Sequence, residues 1–263
     1  MIVKEISVKR ALSRSGLREL DYSLNPYHGC SFSCVYCYAK VFTREKEASE
    51  NWGEVVFVKK NIVEVLSREV KEFKKGLVGV STITDPYQGV EAIYKITRES
   101  LKKLLQYGFR VSIQTKSPLI LRDLDLLERF RGKVDVGITI TTLDVKTSKY
   151  LEPRAPLPKA RVNALRKLSE RGIKTWIFLG PLIYSVNDSG FEEVIKVARE
   201  TNSEVIYDKF NFYRGLTNYS SPKGWWEAKE REIKRKCYEL GVECHSERED
   251  WIFERGKQGR LSI

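Results

Sequence analysis

Short apolar runs alternate with longer amphipathic stretches along most of the chain. The runs are rich in Val, Ile and aromatic residues, as strands buried on both faces of a parallel sheet are. They predict strands near 19–24 and at 77–83, 110–114, 134–140, 174–179 and 204–207. Apolar positions at helical spacing predict helices over 61–75, 91–107, 122–130, 158–171, 189–200 and 223–240. Ser189 and Glu192 form a capping-box pattern that predicts the start of the helix over 189–200.

Repeated strand–helix units predict an α/β fold. Such units, joined by right-handed crossovers, build either a doubly wound sheet or a barrel. Six units in 263 residues favour a partial (β/α)6 barrel of the TIM type over the complete eight. No linker-like segment divides the chain. We therefore expect a core over 1–210 that includes the N-terminal segment, and a helical C-terminal extension over 211–263 that packs on it.

Polar or turn-forming residues follow the predicted strands. In these folds the chemistry lies beyond the carboxyl ends of the strands. Turns are polar in any protein, and helices begin readily with Ser or Asp, so the pattern alone suggests a site without proving one. The segments are Thr84-Asp85-Pro86, Thr115-Lys116-Ser117, Thr139 to Thr142, Gly180-Pro181 and Asp208-Lys209. Among them Lys116, a cation between hydroxyl residues, is suited to bind a carboxylate or a phosphate.

The charge and hydropathy of the chain indicate which classes of binding partner to expect. The chain carries 47 Lys and Arg against 35 Asp and Glu, a net charge of +12. An excess of cations fits a nucleic-acid partner, whereas dense mixed charge with a single Met also fits a thermophilic protein. No stretch approaches the roughly 20 apolar residues that span a bilayer, and the first ten residues lack the apolar core of a signal peptide. We expect a cytoplasmic protein with no membrane partner.

Three of the five cysteines lie close together, at Cys30, Cys34 and Cys37. Five cysteines are too few for a disulfide scaffold, and the C-x3-C-x2-C spacing lets three thiolates bind three irons of a [4Fe–4S] cluster with the fourth iron open. A structural zinc site would need a fourth ligand, for which His28 is the nearby candidate. Three thiols packed in a core are the remaining alternative.

The cysteine segment resembles a known family. With Tyr36 directly before the last cysteine, the motif resembles the radical S-adenosylmethionine (SAM) superfamily. The run NPYHGCSFSCVYCYA is similar to the branch that groups spore photoproduct lyase with related uncharacterised proteins. Further segments resemble the same branch: TITDPYQ at 82–88, QTKSPLILRD at 114–123, TTLD at 141–144 and LEPRAP at 151–156.

The resemblance implies a mechanism and a set of cofactor contacts. A [4Fe–4S] cluster on the three cysteines would bind SAM through its open iron, and one electron from a reducing donor would release a 5′-deoxyadenosyl radical that takes hydrogen from the substrate. The resemblance places Thr84 and Asp85 at the amino or ribose groups of SAM, and Lys116 with Ser117 at its carboxylate. It also places Tyr36 near the adenine, and Arg154 as a further anion contact.

One departure from the branch bears on the reaction. Spore photoproduct lyases carry a hydrogen-donating cysteine in the strand before the TITD-like segment, and residues 79–84 of this chain contain no thiol. A tyrosine such as Tyr87 would have to substitute. We therefore expect a different reaction on the same fold.

The last two cysteines leave three interpretations open. Cys237 shares the apolar face of the helix over 223–240, which is typical of a small buried side chain. Cys237 and Cys244 could instead form a disulfide. Alternatively, Cys244 could be a catalytic thiol whose pKa is lowered by the adjacent His245.

Residues 208–236 interleave aromatic and basic residues, a composition that can stack bases and neutralise phosphates. Three glutamates in this stretch favour a solvated amphipathic helix instead. Together the patterns predict a radical SAM enzyme, with a nucleic acid slightly favoured as substrate over a peptide or a small molecule. A buried radical would require the target base to leave its stack. The alternatives are a non-catalytic iron–sulfur or zinc protein that binds nucleic acid, and a SAM-binding scaffold.

Overall fold

A computed structural model describes residues 1–246 of the chain. The strands are β1 (Ile2–Ile6), β2 (Leu12–Arg14), β3 (Tyr22–Leu24), β4 (Tyr27–His28), β5 (Val55–Lys59), β6 (Leu77–Val80), β7 (Arg110–Thr115), β8 (Val134–Thr139), β9 (Lys174–Leu182), β10 (Glu204–Lys209) and β11 (Cys244–Ser246). The α-helices are α1 (Ala39–Phe42), α2 (Lys46–Glu50), α3 (Ile62–Glu72), α4 (Glu91–Tyr94), α5 (Ile96–Gln106), α6 (Leu124–Arg129), α7 (Val145–Leu151), α8 (Pro158–Glu170), α9 (Phe191–Glu200) and α10 (Trp225–Leu240).

The main sheet has the order β11-β10-β9-β8-β7-β6-β3-β2. All neighbouring strands run parallel except β2, which pairs antiparallel to β3. Because β2 and β11 are the two edges of this sheet in residues 1–246, the barrel is open. The predicted partial barrel is confirmed.

The helices between the strands cover the sheet with their apolar faces. In α3 the buried residues Ile62, Val65, Leu66 and Val70 recur at helical spacing, and they join the same apolar core as the strands. Strand β6 is buried at every position, as a strand covered on both faces must be. Within residues 1–246, no helix has the length and apolar character needed to cross a bilayer.

The helix predicted over 91–107 is broken at Lys95, which adopts a left-handed backbone conformation with φ of 53°. The carboxylate of Glu91 accepts hydrogen bonds from the backbone N–H groups of Thr97 (2.9 Å) and Arg98 (3.3 Å). These bonds satisfy the first amides of α5 and stabilise the break. The spacing of apolar residues continues across both helices, so the sequence pattern does not show the interruption.

Other predicted boundaries also change. The predicted capping box at Ser189 is wrong: α9 begins at Phe191, and Gly190 occupies the N-cap position without a side-chain bond. Residues 118–123 form a 3-10 turn before α6, so the helix predicted over 122–130 begins two residues later than expected. Strand β9 continues through Gly180 and Pro181, which were predicted to follow it.

A small second sheet flanks the cysteine segment, with β1 and β4 before it and β5 after it, and was not predicted. Its order is β1-β5-β4, with β1 parallel and β4 antiparallel to β5. Strand β1 is mostly exposed and β4 has only two residues, so neither produces a buried apolar run. This sheet holds the chain in place immediately before Cys30.

The C-terminal extension contributes both a helix and a strand to the described structure. Strand β11 pairs parallel with β10, and a disulfide joins Cys237 on α10 to Cys244 on β11. The prediction of a catalytic thiol at Cys244 is wrong, because its sulfur is bonded to that of Cys237. Cys237 is buried in the apolar core as expected, but as one half of this disulfide. The part of the predicted extension from 247 to 263 lies outside the described residues.

Candidate functional site

The three clustered cysteines line one cleft at the carboxyl ends of the strands. All three thiols are free; Cys30 and Cys34 are buried, and Cys37 is partly exposed. The cleft is also lined by residues that follow or end the strands, including Thr84, Asp85, Gln114, Thr115, Lys116, Thr139, Trp176 and Phe178. The structure therefore brings together the cysteine motif and several of the polar strand ends.

Hydrogen bonds tie the first cysteine to the loop after β6. Gln88 donates to the carbonyl oxygen of Gly29 (3.1 Å) and accepts from the backbone N–H of Ser31 (2.9 Å), so it bridges both sides of Cys30. The hydroxyl of Thr84 also donates to the Gly29 carbonyl oxygen (2.6 Å). Gly29 has φ of 78°, and a Cβ there would lie 2.4 Å from the carbonyl oxygen of Val55. The chain can turn into the cysteine loop at this point because position 29 is glycine.

The thiols are close enough to influence one another. Burial raises the pKa of all three, that of Cys34 to about 12, and the negative charge of Cys37 adds to the rise at Cys30 and Cys34. The Lys116 ammonium opposes the rise at Cys34 and Cys37. Three cysteines around one cleft, with a cation beside two of them, fit the ligand set of a [4Fe–4S] cluster, in which each thiolate binds a different iron.

A single zinc ion would need a fourth ligand beside the three cysteines. No group of three or more His, Cys, Asp or Glu side chains in residues 1–246 is arranged around one metal position. His28, the proposed fourth ligand, belongs to β4 and does not line the cleft. Burial, together with the nearby cations Lys59 and Arg44, lowers the pKa of His28 to about 4.

Asp85 connects two strand ends. Its carboxylate accepts hydrogen bonds from the hydroxyl of Thr115 (2.6 Å) and from the backbone N–H groups of Tyr87 (2.9 Å) and Lys116 (2.9 Å). Burial raises its pKa, and these three donors oppose the rise. Asp85 thereby holds the backbone of Lys116 in place at the cleft.

Lys116 belongs to a buried network of charged and aromatic side chains. Its Nζ lies 3.8 Å from Oε1 of Glu152 and 5.7 Å from the centre of the Tyr36 ring. Glu152 accepts a hydrogen bond from the Tyr36 hydroxyl, and its Oε2 lies 2.5 Å from Nη2 of Arg161. Burial alone would raise the pKa of Glu152, but Lys116 and Arg161 outweigh it and lower the pKa below its usual value.

Sequence reasoning missed Glu152 and Arg161. A signal was present for Arg161, because it shares the buried face of α8 with Ala164, Leu165 and Leu168. A cation at an apolar-face position needs a buried anionic partner. For Glu152 no comparable pattern exists, since it lies just beyond the short helix α7.

Several predicted contacts have other partners. Ser117 is buried and its hydroxyl accepts from the backbone N–H of Leu119 (3.2 Å), so it caps the 3-10 turn. Arg154 does not line the cleft; it donates to the Gly53 carbonyl oxygen (2.8 Å) and pairs with Glu54. Tyr87 is 1 % exposed and also lies away from the cleft lining, with its hydroxyl donating to Asp123 (3.0 Å).

Comparison with known families agrees with this arrangement. Residues 24–198 match the model of the radical SAM superfamily. The chain belongs to the radical SAM superfamily. This family implies a [4Fe–4S] cluster and SAM.

Two relatives found by sequence carry names that state no activity. The uncharacterised protein MJ0683 of Methanocaldococcus jannaschii is 33 % identical over 184 residues, covering 70 % of this chain and 69 % of its own. The uncharacterised protein ORF301 of Acidianus two-tailed virus is 30 % identical over 254 residues, covering 89 % and 83 %.

Solved structures share the fold at low identity. Spore photoproduct lyase complexed with dinucleoside spore photoproduct has a TM-score of 0.69 at 15 % identity, covering 93 % of this chain and 81 % of its own. SuiB of Streptococcus suis bound to S-adenosylmethionine has a TM-score of 0.61 at 12 % identity, covering 85 % and 49 %. The recognition of the superfamily and of the spore photoproduct lyase-like fold is confirmed.

Proposed function

We propose that this radical SAM enzyme holds a [4Fe–4S] cluster on Cys30, Cys34 and Cys37, binds SAM in the cleft and acts on a nucleic acid. The observation that carries the proposal is the meeting of three free thiols with Lys116 in one cleft. When bound, the reduced cluster and SAM supply one-electron cleavage of the sulfonium and a 5′-deoxyadenosyl radical that takes a hydrogen atom from the substrate.

The residues of the chain bind and orient. Burial alone would lower the pKa of Lys116, but Cys34 and Glu152 outweigh it and raise the pKa, so the amine stays protonated. It therefore presents a fixed positive charge that suits the SAM carboxylate. Thr84 and Asp85 also line the cleft, whereas Tyr36 is not among its lining residues and contributes through its ring, whose centre lies 5.7 Å from Nζ of Lys116. Ser117 acts through the turn that it caps, and Arg154 has no role at SAM in this proposal.

A nucleic acid is supported as substrate by charge and by likeness. The chain carries a net charge of +12, which favours a polyanionic partner. A structural neighbour is named as a complex with dinucleoside spore photoproduct. The proposed reaction differs from that of the neighbour, because residues 79–84 contain no thiol and the Tyr87 hydroxyl is bonded to Asp123 outside the cleft.

The proposed setting is the cytoplasm, where a reducing electron donor is at hand. The disulfide between Cys237 and Cys244 fits a cytoplasmic protein of a hyperthermophile, in which such bonds persist. The dense mixed charge of the chain supports the same thermophilic origin.

The test is anaerobic. The protein is reconstituted with iron and sulfide, reduced, and incubated with SAM with and without DNA and tRNA, and 5′-deoxyadenosine is quantified. We expect product from the parent chain and none from Cys34→Ala. The double variant Cys237→Ser/Cys244→Ser is the matched control, since it also removes cysteines but none at the cleft. A fully loaded cluster that yields no product with any of these additions would contradict the proposal and favour a non-catalytic iron–sulfur protein.

A further inference from the structure

Three aromatic side chains meet at the edge of the cleft: Tyr38, Phe42 and Tyr213, here called the mouth cluster. We propose that the mouth cluster is a stacking platform for a single-stranded segment of nucleic acid, DNA or RNA, that leads the target base into the cleft. This inference rests on the proposed nucleic-acid substrate and specifies the form in which it binds.

The mouth cluster brings the cysteine segment into contact with the loop that follows strand β10. Tyr38 directly follows Cys37 and lines the cleft, Phe42 ends helix α1, and Tyr213 follows strand β10. The ring centres lie 5.9 Å apart for Tyr38 and Phe42, 6.2 Å for Tyr38 and Tyr213, and 5.4 Å for Phe42 and Tyr213. A base that stacks on these rings therefore lies directly beside the cleft that contains the cysteines.

Two of the three rings are exposed, Tyr213 is partly exposed, and one of the exposed rings is anchored by a hydrogen bond. Tyr38 is 42 % exposed and Phe42 is 52 % exposed, which is unusual for large aromatic side chains in contact with one another. The Tyr38 hydroxyl donates to the carbonyl oxygen of Thr82 (2.6 Å), so the ring is anchored to the loop after β6. Ring faces that are already ordered lose little conformational entropy when a base stacks on them.

Cations lie next to the residues of the mouth cluster in the sequence. Lys40 and Arg44 belong to or follow α1, and Arg214 follows Tyr213. Within residues 1–246 none of the three has a carboxylate within the 4.0 Å of an ion pair, whereas many other surface cations of the chain do. Aromatic rings in segments that also carry cations without acidic partners match the chemistry of single strands, which offer stackable bases and phosphates together.

A duplex fits this surface less well. The bases of a duplex are stacked on each other, so a base can reach the rings of the mouth cluster or the cleft only after it is extruded from the duplex. A single strand presents its bases without that cost. The platform therefore predicts a preference for single-stranded over duplex nucleic acid of equal charge.

The test measures binding of the full-length, cluster-loaded protein under anaerobic conditions. Fluorescence anisotropy compares a labelled 12-nucleotide oligo-dT, the matching oligo-U and a 12-base-pair duplex, with inorganic polyphosphate as competitor. Stacking contributes about 1–3 kcal/mol per base, so we expect Phe42→Ala and Tyr213→Ala each to weaken single-strand binding at least about fivefold. Phe42→Trp keeps a stacking face and is expected to bind as the parent does.

The matched control is Tyr238→Ala, since Tyr238 lies on α10 and is 90 % exposed. It is expected to change binding less than twofold. The inference is overturned if both alanine variants, with parental iron content, bind single strands as the parent does. It is also overturned if the duplex or polyphosphate binds as tightly as the single strand, or if no oligonucleotide binds at low salt.

The two proposals fail separately. Formation of 5′-deoxyadenosine without single-strand binding would remove the platform and leave the radical SAM chemistry intact. Single-strand binding that depends on Phe42 and Tyr213, in a protein that never cleaves SAM, would support the platform and contradict the proposed enzyme.

Discussion

Replacing Arg161 with methionine tests the buried network behind Lys116. Arg161 is 1 % exposed, and its guanidinium donates to the carbonyl oxygens of Pro156 (2.7 Å) and Thr139 (3.2 Å) in addition to the contact with Glu152. Methionine fills similar space but supplies no charge and no donor. The Glu152 carboxylate would then remain buried with the more distant Lys116 as its cation, at 3.8 Å.

The expected loss is large because an uncompensated buried charge is left behind. Removing one partner of a buried ion pair costs about 3–5 kcal/mol of unfolding free energy. With a urea m-value of about 3 kcal/mol/M, the unfolding midpoint of the cluster-free chain should fall by about 1–1.7 M. Circular dichroism during urea unfolding measures this shift.

Two further variants separate the effect of the buried charge from that of losing any arginine on this helix. Arg166→Met removes an arginine from the same helix, where Arg166 pairs with Glu200 at 3.6 Å and both side chains are about half exposed. An exposed pair contributes at most about 1 kcal/mol, so the midpoint should change little. The double variant Arg161→Met/Glu152→Gln should recover part of the loss, since it removes the stranded charge. Equal midpoints for Arg161→Met and Arg166→Met would refute the reasoning.

Three other outcomes are expected. The pKa of Glu152 is lowered in the folded chain from an ordinary 4.5, so its contribution to stability is complete above pH 4.5 and is lost as pH falls through the lowered pKa. Urea midpoints between pH 5 and 3 should therefore fall more steeply for the parent than for Arg161→Met/Glu152→Gln. Parallel slopes for the two proteins would contradict this. Gln88→Leu removes the hydrogen bonds that bridge Cys30 and should at least halve the iron bound per chain. Gln106→Leu, at an exposed side chain, should leave the iron content unchanged. Equal iron contents in the two variants would show that the bridge is dispensable. A thiol titration of the unfolded parent chain should find three thiols before reduction and five after it, and five thiols before reduction would contradict the disulfide. The variant Cys237→Ser/Cys244→Ser should lower the unfolding free energy by about 2.5 kcal/mol.

The features that were predictable from the sequence are local ones. A run such as Leu77–Val80 must be buried on both faces, so its composition alone indicates a central parallel strand. The spacing of Cys30, Cys34 and Cys37 likewise specifies that three sulfurs share one loop. In both cases the deciding residues are a few positions apart, and the geometry of a short stretch of backbone relates spacing directly to position in space.

The hydrogen bonds around the cleft join residues that are far apart in the sequence. Tyr36 and Glu152 are separated by 116 residues, and Ser31 and Gln88 by 57. Arg154 follows Glu152 by two positions, yet it pairs with Glu54 at the surface while Glu152 is fully buried. Tyr87 and Asp85 are equally close in sequence, and only Asp85 lines the cleft. Sequence similarity within these segments therefore could not distinguish residues at the cleft from their neighbours.

The sequence by itself determined the strand–helix alternation, the open barrel and the cysteine loop, because each follows from local periodicity or spacing. Only the tertiary structure decided that Lys116 is supported by Glu152 and Arg161, that Cys237 and Cys244 are bonded, and that the Tyr87 hydroxyl lies outside the cleft. The physical reason is that a buried charge or thiol takes its properties from whatever side chains the fold places around it. Those neighbours come from other strands and helices, and no local pattern encodes them.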